Sequence, residues 1–259
     1  MRPLAFLLPF TPVAARSLKL MAAAQAGIAV ALWALGGSRA LPSPAEVAGA
    51  WVDLVQRQGL LIELWASVET SLVALLASTL AAVATAALGT APVFMPAARL
   101  AAAMRFLGFA GLTYLFMLAS RDAHGLRVSI LAFGMFVFMV TALLAELAAT
   151  PRDQVDHCRS LGMRHWRITG EVLLAKADVV LDLVRQNAAV GWTLLTLVEG
   201  MTRSEGGIGA LLLNQNRYFL LAGVFAIQLT ILGYGLAQDF LLSRLKDALC
   251  PYGQLGKES

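Results

Sequence analysis

The stretch HCRSLGMRHWR, from His157 to Arg167, holds two of the chain's three histidines and one of its two cysteines. Imidazole and thiol together are the raw material of zinc ligation and of thiolate catalysis. The spacing supports neither. A zinc site needs four closed ligands, or three with an open position. His157 and Cys158 are adjacent and diverge on a helix, His165 lies beyond Gly162, and the other cysteine is Cys250. A thiolate nucleophile also needs a positioned base, which this short loop does not offer. No metal ligand and no catalytic residue is therefore assigned.

The same residues read well as a structural handle. Thr150-Pro151-Arg152-Asp153 has the makings of a helix start, with threonine as cap, proline in the first position and an acid in the first turn. Val155, Cys158 and Leu161 follow three apart on one apolar side. Gly162 can take the left-handed conformation that ends a helix, and Met163 to Ala175 can form a second one. This reading leaves Asp156, Arg159 and Arg164 available to a partner.

What carries the handle follows from composition. The 259 residues are 59% hydrophobic with mean hydropathy +0.73, richer in apolar side chains than a soluble domain. Crossing roughly 30 Å of hydrocarbon takes about 20 apolar residues. Six runs approach this: about 18–36, 60–88, a broken run over 100–119, 128–149, 179–200 and 219–242. Helices are predicted, because lipid cannot satisfy an open backbone and the alternation of barrel strands is missing. LPSPAEVAGAWVDLV, residues 41–55, predicts an interfacial helix with Val47, Trp51, Leu54 and Val55 at helical spacing.

Orientation comes from Lys and Arg in the connections. Arg152, Arg159, Arg164, Arg167 and Lys176 crowd one loop. On the same side fall Arg2, Arg16, Lys19, Arg99, Arg105, Arg244, Lys246 and Lys257, against Arg39, Arg57, Arg121, Arg127, Arg203 and Arg217 opposite. Both termini and the handle are therefore expected in the cytoplasm, and the net charge of +4 reads as topology, without a nucleic-acid footprint. Residues 20–40 also carry a secretory-signal pattern, with small residues around a cut near Ser38-Arg39-Ala40. Cys158 and Cys250 are both expected reduced on the inner side. One membrane domain spans 1–259, its core about 60–245, with the first span and outer helix in 1–59.

DHCRSLGMRHWRITGEVLLAKA resembles the cytoplasmic signature loop of binding-protein-dependent ABC importer permeases: Glu-Ala-Ala, three residues, Gly, nine residues, then Ile-x-Leu-Pro. Asp156 falls on the acid, His157 and Cys158 on the alanines, Gly162 on the glycine, Val172 on the isoleucine, Leu174 on the leucine and Ala175 on the proline. The glycine spacing holds while several identities differ. LPSPAEV, Arg185, Trp192 and Glu199 followed by GGIG are similar to permeases of the nitrate, sulfonate and taurine group, over about 41–245. The usual proline-rich stretch near 91–127 is replaced by RFLGFAGLTYLFML.

The resemblance implies an all-α membrane protein of type I importer architecture, with about six transmembrane helices. It places a cytoplasmic coupling helix between the fourth and fifth, where Asp156, His157, Cys158, Arg159, Gly162 and Arg164 contact an ATPase. It implies two cytoplasmic ATPase subunits that bind ATP and Mg, a second permease (paralogue or same chain), an external substrate-binding protein, and the bacterial inner membrane. The chain itself has no G-x-x-x-x-G-K-[ST] phosphate loop, so no cofactor and no enzymatic step is expected in it. The solute would be small, with nitrate, a sulfonate or taurine as examples.

Polar residues within spans are costly, on the order of 2.5–3.5 kcal/mol for a central charge. Glu69 in the second span and Arg185, Gln186, Asn187, Trp192 and Glu199 in the fifth are the candidates for lining or bracing a pathway. The alternative makes Asp182 with Arg185 a structural pair and the amides interhelical glue. SEGGIGALLLNQN is expected to provide a flexible outer turn, its glycines shaping that turn or an outer gate, and then Asn214, Gln215 and Asn216. A channel, a secondary transporter without an ATPase, and a membrane enzyme are the rival classes.

Overall fold

The computed structural model describes residues 15–35, 41–107, 109–120, 122–202 and 205–251. Among them every regular element is helical: α1 (Ala15–Leu35), α2 (Pro44–Arg57), α3 (Leu60–Gly89), α4 (Met95–Ala103), α5 (Phe109–Ala119), α6 (Ala123–Ala148), α7 (Arg152–Ser160), α8 (His165–Ala175), α9 (Ala177–Met201), α10 (Ile208–Arg217) and α11 (Leu221–Leu249). The cut near Ser38-Arg39-Ala40, both termini, and Arg2, Arg39, Arg121, Arg203 and Lys257 lie outside the described residues.

Four helices, α1, α3, α6 and α11, are long and apolar enough to cross a membrane, or five spans if the pair α4–α5 is taken as one bent by 119°. The chain is thus compatible with a multi-pass membrane protein. At 25 residues α9 has the length, about 37 Å at ~1.5 Å per residue. It is absent from the apolar set, its run broken by Asp178, Asp182, Arg185, Gln186, Asn187 and Glu199.

Contacts at the ends fix the relative directions of α3, α6 and α9. At one end the start of α3 (Glu63, Ser67), the start of α6 (Arg127) and the segment after α9 (Thr202 to Gly209) bond to one another. At the other end, Thr90 after α3 meets Thr169 of α8 (3.1 Å), and Glu146 of α6 meets Lys176 before α9. So α3 and α6 run parallel, and α9 runs against them. Parallel neighbours need a connection that returns along the full bundle. Residues 91–122 supply it, through α4, a 3-10 turn at Met104–Phe106 and α5.

Close packing follows from small side chains. The buried face of α3 carries Ser67, Ser71, Ala74, Ser78, Ala82, Ala86 and Gly89, spaced three or four apart, so neighbouring backbones approach closely. Gly191 of α9 answers on the facing side, where an added Cβ would sit 2.6 Å from Met135 Cε of α6. The core then fills with Leu75, Leu131, Met135, Trp192, Leu195 and Ile227.

Helix α2 starts at a capping box: Ser43 accepts from the Glu46 amide, and Glu46 accepts from the Ser43 amide. Two orphan donors are satisfied locally. Val47 and Leu54 are buried, while Trp51 lies half exposed and donates to Thr230 of α11 at 3.1 Å. By contrast, α1 touches the rest through Trp33, which stacks with Phe225 and donates to the Pro42 carbonyl at 2.9 Å.

Three expectations change. Thr150 is no N-cap: its hydroxyl donates back to Glu146 O, and Pro151 occupies the cap of α7. Back-bonding from just beyond α6 to its last turn wins over capping the next helix. Arg127, counted as an outer-loop charge, is 2% exposed within α6. And the segment after the glycine turn is a helix the sequence did not announce: Ile208–Arg217 forms α10, packed against α3, α9 and α11.

Candidate functional site

The handle is α7, Gly162 and α8. Gly162 has φ +74°, and its amide donates to Arg159 O at 2.9 Å while the Met163 amide reaches Cys158 O at 3.3 Å. This is the left-handed helix ending that the spacing predicted. Nothing lies within 4 Å of where its Cβ would be, so backbone conformation and not crowding calls for glycine there. Val155 and Cys158 turn partly inward; Leu161, expected on that side, is 61% exposed. No residue of α7 is buried.

Asp156 and Arg159 pair with each other across one turn at 2.9 Å, both well exposed. Such a surface pair is worth little by itself, so either group can exchange its partner. His157 and Arg164 are exposed too, Arg164 at the N-cap of α8. All six handle residues thus share one protruding helix–turn–helix. No group of three or more His, Cys, Asp or Glu that could hold a metal occurs among the described residues, and no disulfide joins Cys158 to Cys250.

The intramembrane candidates do not converge. Glu69 is exposed on α3, flanked by exposed Trp65, Leu72 and Val73. Gln186 is exposed on α9, whereas Asn187 beside it is 4% exposed and neither amide atom has a partner. Trp192 is buried and donates to Gln238 of α11 at 2.6 Å. Arg185 does not pair with Asp182: it reaches Asp239 of α11 at 3.0 Å, and Asp182 takes Lys246 of α11. The two bridges stitch α9 to α11 where an i, i+3 pair within α9 was expected.

Glu199 lies at the opposite end, fully buried. Its Oε1 accepts from Ser67 Oγ at 2.6 Å and its Oε2 from the Gly209 amide at 2.8 Å. The Ile208 amide donates to Ser67 Oγ at 2.8 Å, and the Gly207 amide donates to Glu63. The first donors of α10 are thereby capped by side chains of α3 and α9, with carboxylates at the positive end of its dipole. Gly207 has φ +98°, and a Cβ there would fall 2.5 Å from the Glu199 carboxyl carbon. Arg127 closes the assembly: Nε donates to Thr202 Oγ1 at 2.9 Å, and Nη2 to Thr202 O at 3.1 Å and Gly206 O at 2.9 Å.

Glu63, Ser67, Arg127, Gln238 and Asp239 were not singled out from sequence as parts of these networks. For Ser67 a signal existed, the small-residue stripe of α3; for the others the partner lies on a distant helix. No protein-family model matches this chain, and no curated protein sequence matches it.

Proposed function

We propose that this chain is the transmembrane permease subunit of an ATP-driven importer, supplying half of the pathway for a small solute. One observation carries the reading: an exposed helix–glycine–helix handle joins two long helices, at the end of the bundle to which positive charge assigns the cytoplasm. Its left-handed Gly162 sits at the spacing of the importer signature, and its exposed Asp156, His157, Arg159 and Arg164 suit a polar docking groove. ATP and Mg would bind in two separate ATPase subunits, with an external binding protein delivering the solute to a pair of permeases in the bacterial inner membrane.

Six passes follow if α1, α3, the α4–α5 return, α6, α9 and α11 each cross. Asp182, Arg185, Trp192 and Glu199 of α9 are compatible with this, since each is bonded to a neighbouring helix and not left to lipid. Glu69, exposed on the apolar α3, and Gln186, exposed on α9, are the pathway-lining candidates. Arg185 and Trp192 brace α9 against α11, and Glu199 holds the outer turn. Arg185 would offer a small anion a cationic step on the inner side, within reach of nitrate, a sulfonate or taurine.

The test is a cysteine in place of Arg164, crosslinked in membranes to the ATPase encoded with this chain. A crosslink that rises and falls with nucleotide state is expected. A working transporter with no ATPase crosslink anywhere over residues 152–167 would return the chain to the channel or secondary-transporter class.

A further inference from the structure

A cavity of 750 Å³ opens between the inner end of α3, the first turns of α4, the inner end of α6, and the handle. Arg99, Arg159 and His165 line it, and no carboxylate does. Its other walls are mostly apolar, among them Ala86, Leu147 and Val172. Arg99 is exposed, and among the described residues Arg159 pairs with Asp156 in an exchangeable surface contact. The cavity therefore combines a cationic rim with a greasy interior.

Its height sets the occupant. α3 and α6 are the two most apolar helices of the set, and both end here, so the cavity lies where spans leave hydrocarbon for headgroups. A soluble anion would find the cations but would gain nothing from the apolar walls. An uncharged lipid would gain nothing from the arginines. The cytoplasmic leaflet supplies molecules with both parts, and basic pockets between spans on that side suit anionic headgroups. We propose that this cavity holds one anionic phospholipid, its phosphate between Arg99 and Arg159 and its upper acyl chain along Ala86 and Leu147, tethering the handle to the inner leaflet. The inference rests on the inner-side assignment of the handle made above, but not on an ATPase partner.

Native mass spectrometry of the full chain, released from detergent with phosphatidylglycerol or phosphatidylcholine of identical acyl chains, tests it. One phosphatidylglycerol per chain should survive activation that strips phosphatidylcholine. Arg99→Gln should lower that retention roughly fivefold, as expected for one basic residue near a charged headgroup. Ala148→Trp, at an exposed position on the cavity wall, should lower it with both arginines intact. Equal retention of the two lipids overturns the proposal, as does unchanged retention in Arg99→Gln. Displacement of the lipid by millimolar glycerol phosphate would assign the arginines to a free anion and overturn it as well. None of these outcomes bears on the ATPase crosslink, so the two readings fail separately.

Discussion

Glu199 has no oxygen to spare. Both are bonded, to Ser67 and to the Gly209 amide, in a fully buried setting, and removing one partner of a buried bond strands the other. Glu199→Ala should therefore cost about 1–3 kcal/mol, read as a lower unfolding midpoint and faster amide exchange at Ile208 and Gly209. Glu199→Gln keeps the shape and one acceptor, and should cost less. Equal stability of the alanine variant and the parent would remove Glu199 from this structural task. Cys158, half-buried on α7, makes no demand of this kind, and Cys158→Ala should leave transport unchanged.

Among the elements, the handle depends on one dihedral angle. Gly162→Val must hold a β-branched side chain at φ +74°, against a penalty of roughly 1–2 kcal/mol, so the end of α7 should shift while the spans stay put. Nucleotide-driven transport is expected to fall sharply with insertion unchanged; Gly162→Asn, whose side chain tolerates left-handed backbone, should retain more activity. The α9–α11 seam gives a second test. Arg185→Asp should lower the unfolding midpoint, and adding Asp239→Arg should recover part of it, with a coupling of roughly 1 kcal/mol at these half-exposed sites. These elements also mark how far the sequence could be read. α3 was placed at 60–88 and runs Leu60–Gly89, and the Gly162 turn came from spacing alone, because apolar periodicity and left-handed glycine are local signals. α10 was missed because its caps come from Glu63, Ser67 and Glu199 on other helices. Asp182 and Arg185 were mispaired for the same reason: their partners stand more than fifty residues away on α11.

At the scale of the whole molecule, the proposed permease role carries an expectation about its partner, an unlike second permease. Asp156, His157, Cys158 and Ala175 replace the usual residues of the handle, which suits a complex whose other chain has the more typical one. Native mass spectrometry of the active complex should show two ATPases with one copy of this chain and one different permease; an active assembly with two copies of this chain would defeat that expectation. The Arg127 network has a further consequence, for how the chain is made. Thr202 and Gly206 lie 75 and 79 residues downstream of the guanidinium they hold. At about 5–20 residues per second of synthesis, Arg127 waits on the order of 4–15 s for its partners. During that interval the nascent α6 has a cation with nowhere to bond except headgroups and water. A chain that stops before Thr202 would keep the guanidinium and lack all three oxygens that hold it in the folded protein.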